Sequence, residues 1–440
     1  MFALLAAASV LSSSAEHSPS DHDCPASPPP PPPLLSRWPE ERASSVCGDG
    51  CQQRYRDLHH AAVRAAASSS SPSSSQPSIV VFEAVEMSSG YADRLTGLLT
   101  ALLLGVLTDR AIAIRWSGHE AALGSDSLDL KALLPSAIGG IRSGDSHTLD
   151  WNNANRIQVH EQLKAAPYLA QLWPKRVLVV RSNRGMTQGL LATFAEEAAA
   201  RGLNASNAQF GCLFNFLLRP TPEALAPLAG LRREMDSART SGVPIVGVHV
   251  RSGDASFGTE TGAGEATNRA RGETLYREYR FIFDFADSLP LHSRGASPLA
   301  TPEGEGGPAT AQGPAPLVLL LGDSVALRMH MSSLLGPRLL SSNLSVAHVG
   351  KGGAGDAAAL RNAVAEHWIF GGADSFVYSS HSGFPRTAAA RAMRDDAIHT
   401  CFHYQGKTFG ELQQGRPRPK RECTGPWSVA ELGDRHAAGL

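Results

Sequence analysis

The chain has 440 residues, long enough for two domains of ordinary size, and its 40 Lys and Arg against 41 Asp and Glu leave a net charge of -1. With no long basic run, this balance excludes a general electrostatic field for a polyanion, so nucleic acid is not an expected partner. Six cysteines (Cys24, Cys47, Cys51, Cys212, Cys401 and Cys423) form an even set, and Asn-x-Ser sequons begin at Asn204 and Asn343. Both features are compatible with an oxidising compartment. Cys47 and Cys51 are spaced like the start of a metal site, but no second Cys/His pair follows at finger-like spacing. A disulfide or two thiols are the plainer alternatives.

Residues 1–15 are apolar and end in small side chains, as a secretory signal core does, although they lack a basic leading segment. The apolar part falls short of the roughly 20 residues of a spanning helix, and no later stretch reaches that length uninterrupted, so a luminal or secreted protein is expected. Residues 16–78 are rich in Pro, Ser and Ala, with an unbroken proline run from Pro28 to Pro33, and read as a disordered stalk carrying a short helix near Gln52 to Ala67. A strand at Ile79 to Val85, a turn at Gly90 to Arg94, an apolar segment from Leu95 to Leu107 and a strand at Ala111 to Trp116 then form a strand-helix-strand succession. Ser117 to Ala166 is less regular; Arg176 to Val180 and Thr187 to Ala200 supply another strand and helix. This first unit is taken as 79–225.

The pattern repeats in a second unit, 226–400. It has a strand at Ile245 to Val250, a Gly-rich loop, a helix from about Thr274 to Ser288, a low-complexity insertion at 290–316 and a strand at Leu317 to Leu321. A helix from Val325, a strand at Ser345 to His348, a helix from Ala357 to Phe370, a strand at Ser375 to Tyr378 and a helix from Thr387 follow. Residues 401–440 are left as a tail. The expected fold class is α/β, with two Rossmann-like domains whose parallel sheets are covered on both faces. Ligands of such sheets lie beyond the carboxyl ends of the strands.

Three strand-end loops have suitable chemistry. In His249-Val250-Arg251-Ser252-Gly253-Asp254, Arg251 offers a permanently charged fork for a diphosphate and Gly253 permits close backbone approach; a surface arginine paired with Asp254 is the structural alternative. In Gly322-Asp323-Ser324 the carboxylate suits a ribose or base, or caps the next helix. Ser379 to Phe384, followed by Arg386 and Thr387, offers hydroxyls and amides at a helix start, a natural phosphate cradle, or else a serine-rich cap. Together the three favour a diphosphate-nucleotide site. No P-loop and no dinucleotide fingerprint occurs, which removes kinase and dehydrogenase readings.

The string Val246-Gly247-Val248-His249-Val250-Arg251-Ser252-Gly253-Asp254 resembles the first motif of the α1,2-, α1,6- and protein O-fucosyltransferase superfamily, and Ala373-Asp374 with Ser379 to Phe384 resembles its third. Gly90-Tyr91-Ala92-Asp93-Arg94-Leu95 with Thr108-Asp109-Arg110-Ala111 is similar to an amino-terminal signature of plant and algal members. The resemblance spans roughly Ile79 to Arg394 and implies a GT-B-like architecture and inverting, metal-independent transfer from GDP-fucose to a glycan or glycoprotein acceptor in the Golgi or ER lumen. No metal or other cofactor is implied. It further implies that Arg251 binds the β-phosphate, that His249 and Asp254 shape the same loop, that Ser380, Ser382, Gly383 and Phe384 face the phosphates, and that Glu366 and Asp323 lie at the nucleotide. Two departures are the Arg251-Ser252-Gly253 order, where relatives often carry a second arginine or a threonine, and Glu in place of the commoner Asp at 366. For a general base, Asp254, Glu260 and Glu265 remain open.

Two rival readings stand beside this one. Gly322-Asp323-Ser324 with Asp396-Ala397-Ile398-His399 also resembles the blocks of SGNH-type esterases, with Ser324, Asp396 and His399 as the triad. The blocks are closer together than such a domain normally requires. A non-catalytic luminal sugar- or nucleotide-binding protein would keep the fold without turnover.

Overall fold

A computed structural model of the chain describes residues 38–47, 50–68, 76–84, 90–151, 161, 173–183, 185–203, 210–252, 263–291, 315–344, 357–380, 382–394, 397–402 and 421–427. Helices α1 (Pro39–Val46) and α2 (Gly50–Ser68) precede β1 (Ile79–Glu83), α3 (Tyr91–Leu107), β2 (Ala111–Arg115), β3 (Leu123–Gly124), α4 (Leu134–Arg142), β4 (Ser146–Trp151) and β5 (Val177–Ser182). Strands β2-β1-β5-β4, in that order, form a parallel sheet. Its inner strands are apolar on both faces because both faces are covered. Leu95, Leu98 and Leu102 of α3 pack on Val80, Phe82, Ile112 and Leu178, while Ala62 of α2 and Ala137 of α4 pack on the alternate residues Ile79, Val81, Ala111 and Val177.

After α5 (Thr187–Thr193), α6 (Ala195–Ala200), α7 (Phe210–Leu217), β6 (Arg219–Pro220), α8 (Pro222–Leu225) and α9 (Ala229–Thr240) comes the second sheet. It runs through β7 (Ile245–Val250), α10 (Glu265–Ser288), β8 (Leu317–Gly322), α11 (Val325–Leu335), β9 (Leu339–Ser341), α12 (Ala357–Phe370), β10 (Ser375–Ser379), α13 (Gly383–Arg391), β11 (Ile398–Phe402) and β12 (Glu422–Trp427). The strand order is β12-β11-β10-β7-β8-β9, and β12 alone runs antiparallel to its neighbour. From β7 the chain proceeds to β8 and β9 on one side and returns to β10 and β11 on the other. The order therefore reverses between β7 and β10, the point at which doubly wound sheets open a crevice at their carboxyl ends. Helices α10 and α11 cover one face, and α12 and α13 the other. The two halves share a core at α12, where Leu360, Val364 and Trp368 join the first half's apolar cluster and Ala365, Ile369 and Phe370 sit under the second sheet.

The stalk expected over 16–78 is corrected for residues 38–47 and 50–68, which are largely helical and packed, with the short helix expected near Gln52 to Ala67 present as α2. Tyr55, His59 and Ala62 recur at helical spacing and bury one face of α2. Tyr55 donates to Arg110 O at 2.9 Å, and His59 Nε2 meets Ile112 O at 3.0 Å. Trp38 Nε1 donates to Asp236 at 2.8 Å, and the Trp38 ring carries the Arg239 guanidinium at 4.2 Å. Fully buried Arg391 stacks on Trp368 at 3.8 Å and reaches Glu40 of α1 at 3.6 Å. A disulfide joins Cys47 to Cys212 of α7, so Cys47 and Cys51 do not pair; Cys51 Sγ donates to Gly202 O instead.

The tail is corrected as well: β11 runs to Phe402, β12 covers its edge, and Cys401 and Cys423 are disulfide-bonded across that pair. The helix predicted over Thr187 to Ala200 breaks at buried Phe194, whose φ of -120° and ψ of 49° are not helical. The third strand of the second sheet is β9, ahead of the predicted Ser345 to His348, which lies outside the described residues. The last predicted helix starts at Gly383 rather than Thr387, the helix predicted from Thr274 starts at Glu265, and the predicted turn after Gly90 is already the first turn of α3. Most of the 290–316 insertion is likewise outside the described residues. No described helix is long and apolar enough to cross a membrane.

The Thr108-Asp109-Arg110 string is structural. Thr108 Oγ1 donates to Leu104 O at 2.6 Å, Asp109 takes the left-handed φ of 50° that ends α3, and the Arg110 guanidinium donates to Trp173 O at 2.6 Å and Lys175 O at 3.1 Å.

Candidate functional site

The reversal point brings the loops after β7 and β10 together. Arg251 N donates to Ser379 Oγ at 3.1 Å, across from β7 to the end of β10, and Arg251 O accepts from Tyr279 of α10 at 3.2 Å. Ser252 donates to Asp323 Oδ1 through both its N–H and its hydroxyl, each at 2.7 Å. The β7 loop is thus pinned from both neighbours, and the root of the Arg251 side chain is held at the crevice. At Gly322 a Cβ would stand 2.6 Å from Val250 O, so only glycine lets the two strand ends approach this closely.

Asp323 is buried and spent on Ser252. Behind it, the half of α11 facing the sheet carries a buried cation. Arg328 donates to Gly322 O at 2.6 Å, Ser342 Oγ at 2.8 Å, Ser342 O at 3.1 Å and Glu366 Oε1 at 2.9 Å. Ser342 Oγ donates to the same Glu366 oxygen. Glu366 therefore reaches the β8 end through Arg328, a residue that no local sequence pattern singled out.

At the β10 end, Ser380 N donates to Cys401 O at 2.9 Å and Ser382 N to Ser379 O at 3.2 Å; α13 then begins at Gly383 with its first amides at the crevice. The Ser380 hydroxyl is buried with no hydrogen-bond partner among the described residues. The first half supplies the start of α3. Tyr91 lies 5.2 Å ring to ring from His367 and 6.4 Å from Phe384, which in turn lies 5.6 Å from His249. Tyr91 and His367 complete this wall and were missed as site residues, although Tyr91 stands inside the Gly90 to Leu95 string. Thr387 Oγ1 donates to Gly383 O at 3.0 Å, so His367 Nε2, 3.0 Å from that hydroxyl, is its donor and Nδ1 is left as an acceptor. Arg94 lies over the Trp116 ring at 5.7 Å, and burial lowers its pKa.

His249 is buried against Phe370 and Phe384, and its Nδ1 has no partner among the described residues. Burial, then the charges of Arg251 and Arg328, push its pKa down from 6.5 to about 3. His367 moves in the same direction through burial and Arg391. Because the unfolded chain regains the ordinary value, it binds the extra proton first: the stability contributed by neutral His249 is complete above about pH 6.5 and is lost as the pH falls toward about 3. Calorimetry is expected to show the melting temperature dropping from neutral pH toward about pH 4, with a shallower drop in His249→Gln.

Of the predicted site residues, His249, Arg251, Asp323, Ser380, Ser382, Gly383 and Phe384 border the crevice, and Glu366 stands one ion pair behind it. Gly253, Asp254 and Glu260 lie outside the described residues. Glu265 opens α10 and pairs with Arg269 at 3.1 Å on an exposed surface. The esterase reading is overturned. Ser324 is buried with its hydroxyl capping α11, accepting from Leu327 N at 3.1 Å. His399 lies on β11, three strand spacings of about 4.8 Å from β8, and its ring packs on Phe285 of α10 at 5.2 Å. Asp396 lies outside the described residues.

No family model matches the chain, and no curated protein sequence does. Among solved structures it is similar to Arabidopsis thaliana FUT1, in a single Arg-to-Lys mutant complexed with GDP. That match has 13% identity over 81% of this chain and 79% of that one, with a TM-score of 0.50. Selenomethionyl fucosyltransferase NodZ from Bradyrhizobium matches at 15% identity over 74% of this chain and 95% of that one, TM-score 0.40, and POFUT1 in complex with GDP at 10% over 75% and 99%, TM-score 0.32. The latter two scores are too low to argue from. The described α/β architecture, with its two parallel-stranded sheets, is thus a GT-B-like fold similar to that of FUT1.

Proposed function

We propose that the chain is a glycosyltransferase that takes GDP-fucose at the β7/β10 crevice and transfers fucose to a glycan or glycoprotein acceptor, with inversion and without a metal ion. The observation that carries the reading is Arg251, rooted at the strand-order reversal by its amide's bond to Ser379 and its carbonyl's bond from Tyr279. The complex of FUT1 with GDP, on the same fold, adds to it. Such transfer needs charge stabilisation on the departing diphosphate more than covalent chemistry, and a guanidinium at the crevice supplies it. The amides at the start of α13, with Ser380 and Ser382, then face the phosphates. Neutral His249 fills the floor beside Arg251 without adding a second charge. Glu366, with Oε1 taken by Arg328 and Ser342, keeps Oε2 for the nucleobase, and Asp323 acts by holding Ser252. Asp254, three residues beyond Arg251, is the proposed base for the acceptor hydroxyl. Disulfides Cys47–Cys212 and Cys401–Cys423 favour the secretory pathway.

Titration calorimetry with GDP, GDP-fucose, GDP-mannose and UDP-glucose in the presence of a chelator tests this. GDP and GDP-fucose are expected to bind selectively, and Arg251→Ala to weaken binding or transfer by about a hundredfold or more, as loss of one charge-stabilising donor does. A folded chain that binds none of the four nucleotides would overturn the reading.

A further inference from the structure

A cleft of about 540 Å³ opens on the first half, away from the β7/β10 crevice, between α2 and the segment from His119 to Lys131. Its walls are rich in hydrogen-bonding side chains: Arg56, His60, His119, Glu120, Asp126 and Lys131. With Asp129, which also lines the cleft, three carboxylates stand against the two cations Arg56 and Lys131. Lys131 pairs with Glu120 at 3.4 Å, Arg219 with Asp126 at 3.4 Å, and Arg56 donates to Ser127 Oγ at 3.3 Å. The segment is also braced from within, because Ser125 Oγ accepts from Leu128 N at 3.2 Å and Asp129 Oδ1 from Ala132 N at 3.0 Å. His119 lies against Trp116 O, an acceptor, so its Nδ1 carries the proton and Nε2 is left to accept. Burial lowers its pKa, which keeps the ring neutral. A hydroxyl- and imidazole-lined cleft over buried Leu123, Leu128 and Leu130, with no excess of cations, suits a neutral polyhydroxyl ligand better than an anion.

Beneath the surface a row of rings, His119, Trp116, Tyr91, Phe384 and His249, all but Phe384 buried, runs in steps of 5.6 to 6.4 Å from the cleft wall to the crevice. We propose that this cleft is a remote subsite for the uncharged, distal sugars of an oligosaccharide acceptor whose reacting unit lies at the crevice. The inference rests on the glycosyltransferase reading and narrows its acceptor to an extended neutral glycan. Binding energy gathered so far from the reacting bond serves to position the acceptor.

Gly124 lines the cleft, and a Cβ there would meet nothing within 4 Å, so Gly124→Gln fills the cleft without displacing its wall. Saturation-transfer NMR on the whole chain would use cello-, xylo-, manno- and galactohexaose, with hexagalacturonate as the anionic comparison. At least one neutral hexaose is expected to bind, and Gly124→Gln to raise its Kd about tenfold with GDP affinity unchanged. Absence of binding by every neutral hexaose while GDP still binds, an unchanged Kd in the variant, or preference for the uronate would overturn the subsite alone. Failure of the wild-type chain to bind GDP would count against the donor reading instead.

Discussion

A chain beginning at Ser78 is expected not to fold, whereas one beginning at Pro33 gives a cooperative thermal transition. Starting at Ser78 strips Tyr55, His59 and Ala62 from the first sheet and Trp38 from Asp236 and Arg239. It also leaves Arg391, fully buried, without Glu40. Each large buried side chain contributes about 1.5–3 kcal/mol. The Cys47–Cys212 link closes a separation of 165 residues, worth about 5 kcal/mol by loop-closure entropy. Against a total stability of about 5–15 kcal/mol these losses are decisive. Circular dichroism and size-exclusion chromatography on the two chains check this; native-like melting of the shorter one would refute it. Cys47→Ser in the longer chain isolates the disulfide and is expected to lower the melting temperature without abolishing the transition.

Arg328→Ala is the second large effect. It leaves the buried Glu366 carboxylate unpaired and frees Gly322 O and Ser342, for which about 3–5 kcal/mol of lost stability is expected. The double variant Arg328→Met, Glu366→Leu removes both charges and is expected to recover most of that loss, because an apolar pair of similar volume often matches a buried ion pair. Chemical denaturation of the wild type, Arg328→Met, Glu366→Leu and the double variant gives the coupling between the two sites. Additive losses would show that the two residues act separately. If Glu366 also contacts the nucleobase, the double variant regains stability but not GDP affinity.

Much of this architecture was legible because buried parallel strands are short continuous apolar runs. Ile245 to Val250 and Ala357 to Phe370 are predicted with the bounds observed, and β1, β2, β8 and β10 within two residues. The crevice loops were visible as polar strings directly after such runs. A short helix near Gln52 to Ala67 was legible and is α2, but α1 and the packing of this layer were not, because the buried face rests on Tyr55, His59 and Ala62 in an alanine-rich stretch beside a proline run, and composition outweighed that weak periodicity. Strand β12 contains Gly425-Pro426, residues that argue against a strand, and it is held by pairing to β11 and by Cys423. The Arg328–Glu366 pair spans 38 positions, so nothing local announces it. Serine 324 could be read as a nucleophile or a cap from its neighbours, and its bond from Leu327 decides for the cap.

Helix α12 belongs to both halves at once, and this bears on how ligands come and go. A clamshell opening of one sheet away from the other would pull Leu360, Val364 and Trp368 out of their packing with the first half, or Ala365, Ile369 and Phe370 out from under the second. With each large apolar side chain costing about 1.5–3 kcal/mol to expose, such an excursion is strongly disfavoured. On the proposed function, donor and product must therefore exchange without the two sheets parting at α12.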